Sequence, residues 1–226
     1  MKKFILTFGF LLAIIFAKAQ SYGYNDHTVT IGLTGGSNIA FLQVQSPHRE
    51  DISTGSESPF SIGLNADFKF NDYLSLRPGV FYTGKGGTIN AGYADNFGNN
   101  TAVNDEYKLH YIEFQFDIIG HLPVGDGANI FLGAGPYYSQ GLSGTNIQTL
   151  FSYNPVAYKI TYGKNGDFKT VDAGATGVFG FQGASGWSIS GNLDLGLTNI
   201  LQTNNSGFDA TQLKTTTFYL SVGQSF

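Results

Sequence analysis

The feature that most limits the fold of this chain is a strict alternation of apolar and polar residues. In residues 59–70 every second residue is apolar, and the residues between them are polar or glycine. Successive residues of a β-strand point to opposite faces, so such a segment has one apolar and one polar face. The apolar set is Phe60, Ile62, Leu64, Ala66, Phe68 and Phe70, and the polar set is Ser61, Gly63, Asn65, Asp67 and Lys69.

Eight segments carry this period of two and are predicted to be strands. They are residues 28–42, 59–70, 73–85, 107–122, 128–140, 171–182, 186–200 and 214–226. Ionisable residues recur on the polar face in the middle of these segments, where a soluble sandwich has little reason to place them. They are Asp67, Lys69, Arg77, Glu113, Asp117, Asp172 and Asp194.

The connections between the segments alternate strictly between short and long. Residues 71–72, 123–127 and 184–185 are brief and turn-forming, whereas 43–58, 86–106, 141–169 and 201–213 are long and rich in Gly, Asn, Ser and Thr. Membrane barrels of the bacterial outer membrane join strands by short periplasmic turns and longer external loops. The sequence therefore predicts an all-β, eight-stranded, antiparallel up-and-down transmembrane β-barrel, with both termini on the periplasmic side.

The first residues have the pattern of a secretory signal. Lys2 and Lys3 precede an apolar run from Phe4 to Phe16, and Ala17-Lys18-Ala19 is a cleavage pattern. The run is shorter than the roughly 20 residues that a membrane helix needs. We predict a signal peptide at 1–19, one barrel domain at 20–226, export, and location in the cell outer membrane.

A soluble lipocalin-like barrel or sandwich is the alternative, because periodicity does not distinguish inside from outside. The polar strand faces, the leader and the alternating connections favour the membrane barrel. Only 12% of the residues are charged, the net charge is −4, and no cysteine is present. This composition argues against nucleic acid as a partner and excludes disulfides and thiolate metal sites.

The polar faces predict a structural charge network in the lumen, formed by Asp67, Lys69, Arg77, Glu113 and Asp117. An eight-stranded barrel is just wide enough to be filled by its own side chains. Ion pairs that satisfy buried charges are therefore favoured over a proton or ion path.

Several short motifs, in this order and spacing, resemble the PorT-like outer-membrane β-barrel family of Bacteroidetes. They are residues 76–82 with Lys85-Gly86, residues 111–114, Gly135-Pro136-Tyr137, Asp172-Ala173-Gly174 and residues 195–200. The resemblance spans the mature chain and implies a shared fold. A named member of that family is implicated in secretion and gliding, a role that fold alone does not transfer.

The function predicted is non-enzymatic: a scaffold, or a component of an envelope or secretion-associated assembly, acting through the external loops. The loop at 141–169 is rich in aromatic residues, which makes it a possible partner loop; they include Phe151, Tyr153, Tyr158 and Tyr162. Two alternatives stay open, a small outer-membrane hydrolase or acyltransferase using His48 and His110, and a narrow channel.

We predict no catalytic site, no cofactor and no metal, because the four histidines lack metal-ligand spacing and no nucleophile motif accompanies them. We expect the chain to be a monomer. Its expected partners are outer-membrane lipid and, at the external loops, a possible protein partner. The terminal Phe226 resembles the signal that the barrel assembly machinery recognises, which implies that machinery as a further partner.

Overall fold

The computed structural model describes residues 29–45, 53–94, 100–125, 127–150, 154–202 and 211–226. The predicted leader, His48, Phe151 and Tyr153 lie outside these ranges. Within them, no helix is long and apolar enough to cross a bilayer. The strands are β1 (Val29–Gln45), β2 (Ser53–Glu57), β3 (Phe60–Asn71), β4 (Leu74–Ala94), β5 (Asn100–Pro123), β6 (Asn129–Leu150), β7 (Val156–Ile160), β8 (Val171–Gln182), β9 (Trp187–Gly196) and β10 (Gln212–Ser225).

Eight of these strands form a closed antiparallel ring. Its order is β1, β3, β4, β5, β6, β8, β9 and β10, and β10 pairs back onto β1 from Gly32↔Ser225 to Gln45↔Gln212. Each ring strand therefore neighbours the ring strand before it in the chain, as in an up-and-down barrel. The predicted fold class is confirmed, with eight ring strands that overlap all eight segments found by periodicity.

The three short turns lie at the same end of the ring, which we call the turn end. At the first, the Asn71 side chain accepts a hydrogen bond from the backbone N–H of Tyr73 at 2.8 Å. At the second, Gly125 has a φ of 98°, which favours glycine. The chain terminus is also here, since Phe226 exchanges backbone hydrogen bonds with Ile31. The opposite end is called the loop end.

The outer wall of the ring is an apolar belt. On β3, Phe60 and Leu64 are 56% and 57% exposed, whereas Ser61 and Asp67 on the alternate face are buried. From Phe60 to Phe70 there are ten residue steps of about 3.4 Å, which at a tilt of about 40° rise about 26 Å. That height matches the lipid-facing band of membrane barrels, about 25 Å.

The long connections contain more strand than the sequence predicted. β4 runs on to Ala94 and β5 begins at Asn100, so that the two strands pair as far as Ala94↔Asn100; β6 runs on to Leu150, and β7 pairs with it. β2 lies between β1 and β4 in place of β3. The prediction of loops at 43–58, 86–106 and 141–169 was wrong in these parts, because Gly, Asn and Thr there pair their backbones in a sheet that projects past the ring.

Strand β9 ends earlier than predicted. It stops at Gly196 rather than at residue 200, and Thr198 then donates a hydrogen bond from its hydroxyl to Asp172 at 3.2 Å. Ile200, which follows, is fully buried at the loop end. Residues 197–201 therefore leave the ladder and fold over the interior.

Candidate functional site

A group of fully buried charged residues lies across the middle of the lumen. Lys85 Nζ is 2.7 Å from Glu113 Oε2, 3.1 Å from Asp172 Oδ2 and 3.9 Å from Asp194 Oδ2. These four residues, here the central cluster, come from β4, β5, β8 and β9. Two adjacent strands thus face two others across the barrel, and their side chains meet in between.

Hydroxyl groups surround the carboxylates of the central cluster. Asp172 Oδ2 accepts hydrogen bonds from Thr215 Oγ1 at 2.7 Å and from the Tyr137 hydroxyl at 3.2 Å. The Tyr219 hydroxyl donates to Asp194, and Ser139 donates to Glu113 at 2.5 Å. Lys85 Nζ also lies 4.0 Å from the centre of the Tyr137 ring, a favourable cation–π distance. The cluster is therefore fixed on all sides, although one ammonium faces three carboxylates.

A second charged group lies nearer the turn end. Arg77 Nη2 is 2.6 Å from Asp67 Oδ2, and its guanidinium lies 4.7 Å from the centre of the Phe131 ring. His121 Nε2 is hydrogen-bonded to Ser75 Oγ at 2.8 Å and is 3.9 Å from Asp67 Oδ2. This half of the lumen thus contains an arginine, a carboxylate and a histidine in contact.

The predicted lumen network is divided between these two groups. Asp67 and Arg77 pair with each other, whereas Glu113 pairs with Lys85, which the sequence analysis did not include. Asp117 is buried opposite Arg77 in the β4–β5 register, and Lys69 is half-buried on the same face of β3 as Asp67. The sequence did contain a signal for the central cluster: Lys85, Glu113 and Asp172 each lie within one of the motifs that resemble the PorT-like family.

The lumen also has a polar cavity of about 60 Å³, which borders Arg77 and Asp117 and reaches Gln182 and Ser225 near the turn end. Its lining is mainly hydroxyl and amide side chains, among them Thr34, Asn65, Gln115, Asn192 and Ser221. At roughly 15 Å³ for each water, the space suits about four water molecules. Asp117 Oδ1, buried at its edge, has no protein hydrogen-bond partner among the described residues, which favours hydration here.

The loop end of the interior is apolar. Ten buried residues form one cluster, here the apolar cap: Leu42, Ile89, Tyr107, Leu109, Tyr111, Ile160, Phe168, Ile200, Leu201 and Leu213. The β7–β8 connection folds inward to complete it, since Phe168 bridges to both Tyr162 and Leu201. The interior at the loop end is therefore apolar rather than charged, because the projecting sheet buries an apolar inner face.

The predicted partner loop is split between inside and outside. Tyr162 is partly buried against the apolar cap, its ring 5.8 Å from that of Tyr111 at a T-shaped angle. Its hydroxyl donates to the Ser143 carbonyl at 3.3 Å. In contrast, Tyr158 and Val156 on β7 are 52% and 47% exposed. Of the two predicted partner-loop tyrosines that the structure describes, Tyr158 is therefore the exposed one and Tyr162 the one packed inward.

His110 lies on the outer wall and stacks on Tyr82, with ring centres 5.7 Å apart. Its Nδ1 is buried and has no hydrogen-bond partner among the described residues. A general base is normally oriented by a hydrogen bond from such an atom to an acid. No three His, Asp or Glu side chains in the described part of the chain are placed to ligate one metal ion.

Solved structures of bacterial surface and outer-membrane proteins are among those similar to this chain. The chain resembles the attachment invasion locus protein Ail of Yersinia pestis (8% identity, 88% and 99% of the two chains, TM-score 0.39), Neisserial surface protein A (14%, 89% and 98%, 0.45) and the outer membrane protease OmpT of Escherichia coli (12%, 92% and 99%, 0.46). No curated protein matches it. A family model described as "Outer membrane protein beta-barrel domain" matches residues 18–202. The chain therefore belongs to the outer membrane protein beta-barrel domain family.

Proposed function

We propose that this chain is a closed, non-enzymatic outer-membrane barrel that acts through its loop-end surface, as a scaffold or as a component of an envelope or secretion-associated assembly. A PorT-like position within the family, export through the leader, and periplasmic termini belong to the same proposal. The turn end would then face the periplasm and the projecting sheet the cell exterior.

The observation that carries the proposal is the closure of the lumen at two levels. The central cluster spans the barrel from β4 and β5 to β8 and β9, and the apolar cap fills the loop end above it. A pore needs a continuous aqueous path, and a buried apolar cluster is a poor one. The narrow channel is therefore less well supported than a surface function.

The surface itself is the sheet that projects at the loop end. β7 pairs with β6 from Gly144↔Ile160 to Gln148↔Val156, and four of its five residues are exposed. Aromatic residues such as tyrosine are enriched in protein interfaces because they bury a large area with few rotatable bonds. Tyr158 is therefore our candidate for an anchor to a protein partner.

The proposal also keeps the barrel assembly machinery as a partner. Phe226 is highly exposed beside β1, at the point where the ring closes. An exposed aromatic side chain in that place is accessible to a factor that acts before β10 and β1 pair. Recognition of Phe226 by the barrel assembly machinery stays a prediction.

Planar-bilayer recording tests the closed lumen. The purified chain is expected to give no single-channel steps in 1 M KCl, because the apolar cap leaves no hydrated passage. A porin reconstituted in the same way serves as the positive control. Reproducible steps from the native chain, absent from protein-free detergent, would replace the surface function by the channel.

In-cell photo-crosslinking tests the surface function. A photoreactive phenylalanine analogue at Tyr158 is expected to yield one discrete adduct containing the barrel and a second protein. The same analogue at Leu132, which is exposed on the outer wall of β6 far from β7, is the matched control and should face lipid. Identical adduct patterns at both positions, or none at Tyr158, would count against a partner at β7.

A further inference from the structure

A groove of about 220 Å³ lies on the outer wall of the barrel near the loop end. The connection between β2 and β3, with Pro59, forms one side, and the β5 segment around His110 forms the other. Gly84 is its floor: a Cβ there would lie 2.4 Å from Pro59 Cβ, so only glycine keeps this approach. We refer to this feature as the outer groove.

The outer groove is continuous with the lipid-facing belt. Phe60, Tyr82 and His110 form a row of rings across β3, β4 and β5, with neighbouring ring centres 5.7 Å apart in both cases. Aromatic rings of this kind mark the level at which the hydrocarbon core meets the headgroups. The groove therefore opens where one lipid molecule has its headgroup on one side and its acyl chains on the other.

The rim above the aromatic row carries charges of both signs. Lys108 and Glu57 line the groove, and Lys108 Nζ forms an ion pair with Glu106. The Glu57 carboxylate also accepts a hydrogen bond from Thr88 Oγ1 at 3.5 Å. Burial, and next the neighbouring Glu106 carboxylate, raise the pKa of Glu57 above its ordinary value. A cationic group beside Glu57 would relieve that unfavourable environment.

We propose that the outer groove binds one lipid with a zwitterionic phosphoethanolamine headgroup at the loop-end edge of the apolar belt. Its phosphate contacts Lys108, its ammonium contacts Glu57, and the start of its acyl chains follows the aromatic row. A purely anionic headgroup fits less well, because two carboxylates accompany the single ammonium of Lys108. A volume of about 220 Å³ holds a headgroup and not a whole lipid.

Native mass spectrometry of the full chain, released from nanodiscs into mild detergent, tests the proposal. Nanodiscs made of equal parts phosphatidylethanolamine and phosphatidylglycerol supply both headgroups in competition. The native barrel is expected to retain one phosphatidylethanolamine molecule, with at least fivefold preference over phosphatidylglycerol. Lys108→Gln and Glu57→Gln are each expected to remove most of this preference.

Lys159→Gln is the matched control, because Lys159 is exposed on β7 and does not line the groove. It should retain phosphatidylethanolamine as the native chain does. Equal retention of the two lipids by the native barrel, or unchanged preference in both groove variants, would overturn the proposal. Migration of every variant as a folded barrel on an unheated gel separates lost binding from lost folding.

Discussion

Replacing Lys85 with methionine is expected to lower the free energy of unfolding by about 3–5 kcal/mol, the usual loss when one partner of a buried ion pair is removed. The variant leaves the Glu113, Asp172 and Asp194 carboxylates together with no ammonium, in a site that excludes water. Urea unfolding in detergent, followed by the fluorescence of Trp187, the single tryptophan, measures the change.

Two further variants isolate the cause of that loss. Lys159→Met removes an exposed ammonium and should change the free energy by no more than about 0.5 kcal/mol. Adding Glu113→Gln to Lys85→Met removes one uncompensated carboxylate and should recover part of the stability. If Lys85→Met unfolds at the same urea concentration as Lys159→Met, the central cluster contributes nothing to the barrel.

The ring could be predicted because its signal is local. A period of two assigns each side chain to one face, so β3 alone distinguishes the lipid-facing Phe60 and Leu64 from the lumen-facing Asp67. Turn chemistry such as that at Asn71 then separates one strand from the next. Neither inference needs a contact between distant residues.

The central cluster could be predicted only in part. Lys85 is the last residue of the third predicted segment, and the two glycines after it suggest that the strand stops there. Gly86 and Gly87 have the composition of a loop, yet β4 continues through them with φ values of 145° and 157°. A Cβ on Gly86 would lie 1.9 Å from the Tyr107 carbonyl oxygen. Gly86 thus allows the close approach of β5, and Gly87 that of β1 and β2, because a Cβ on Gly87 would lie 2.8 Å from Leu42 N and 3.0 Å from the Gly55 carbonyl oxygen. This tertiary requirement is not visible in the local sequence, where two glycines suggest a loop.

The apolar cap was not predicted at all. Five of its ten members lie in predicted connections and five in predicted strand segments far apart in the chain, and Phe168 and Ile200 lie outside every strand of the structure. Inward folding of residues 161–170 follows no period in the sequence. For the same reason Tyr162 was expected on a partner surface, although it packs inward.

The bulky side chains that fill the lumen depend on small glycines that face them. On β8, Gly174 points into the lumen beside Tyr137, and a Cβ there would lie 2.0 Å from the Leu195 carbonyl oxygen and 2.8 Å from Tyr137 Cε1. Gly177 faces outward on the same strand, and the nearest atom to a Cβ there is 3.9 Å away. Gly174 and Gly177 thus lie on the same strand and differ only in the space around them.

Gly174→Val is therefore expected to abolish the folded barrel, whereas Gly177→Val should fold in normal amount. Because the Leu195 oxygen belongs to the β8–β9 ladder, relief of the clash requires the ladder to open, and not only a side chain to turn. Tyr137 would also have to move away from Asp172 and Lys85. The central cluster would then lose the hydrogen bond from the Tyr137 hydroxyl and the cation–π contact with the Tyr137 ring. The faster-migrating folded form on unheated gels is the measurement. Its presence at equal level in both variants would mean that the lumen is packed less tightly than Gly174 and Tyr137 require.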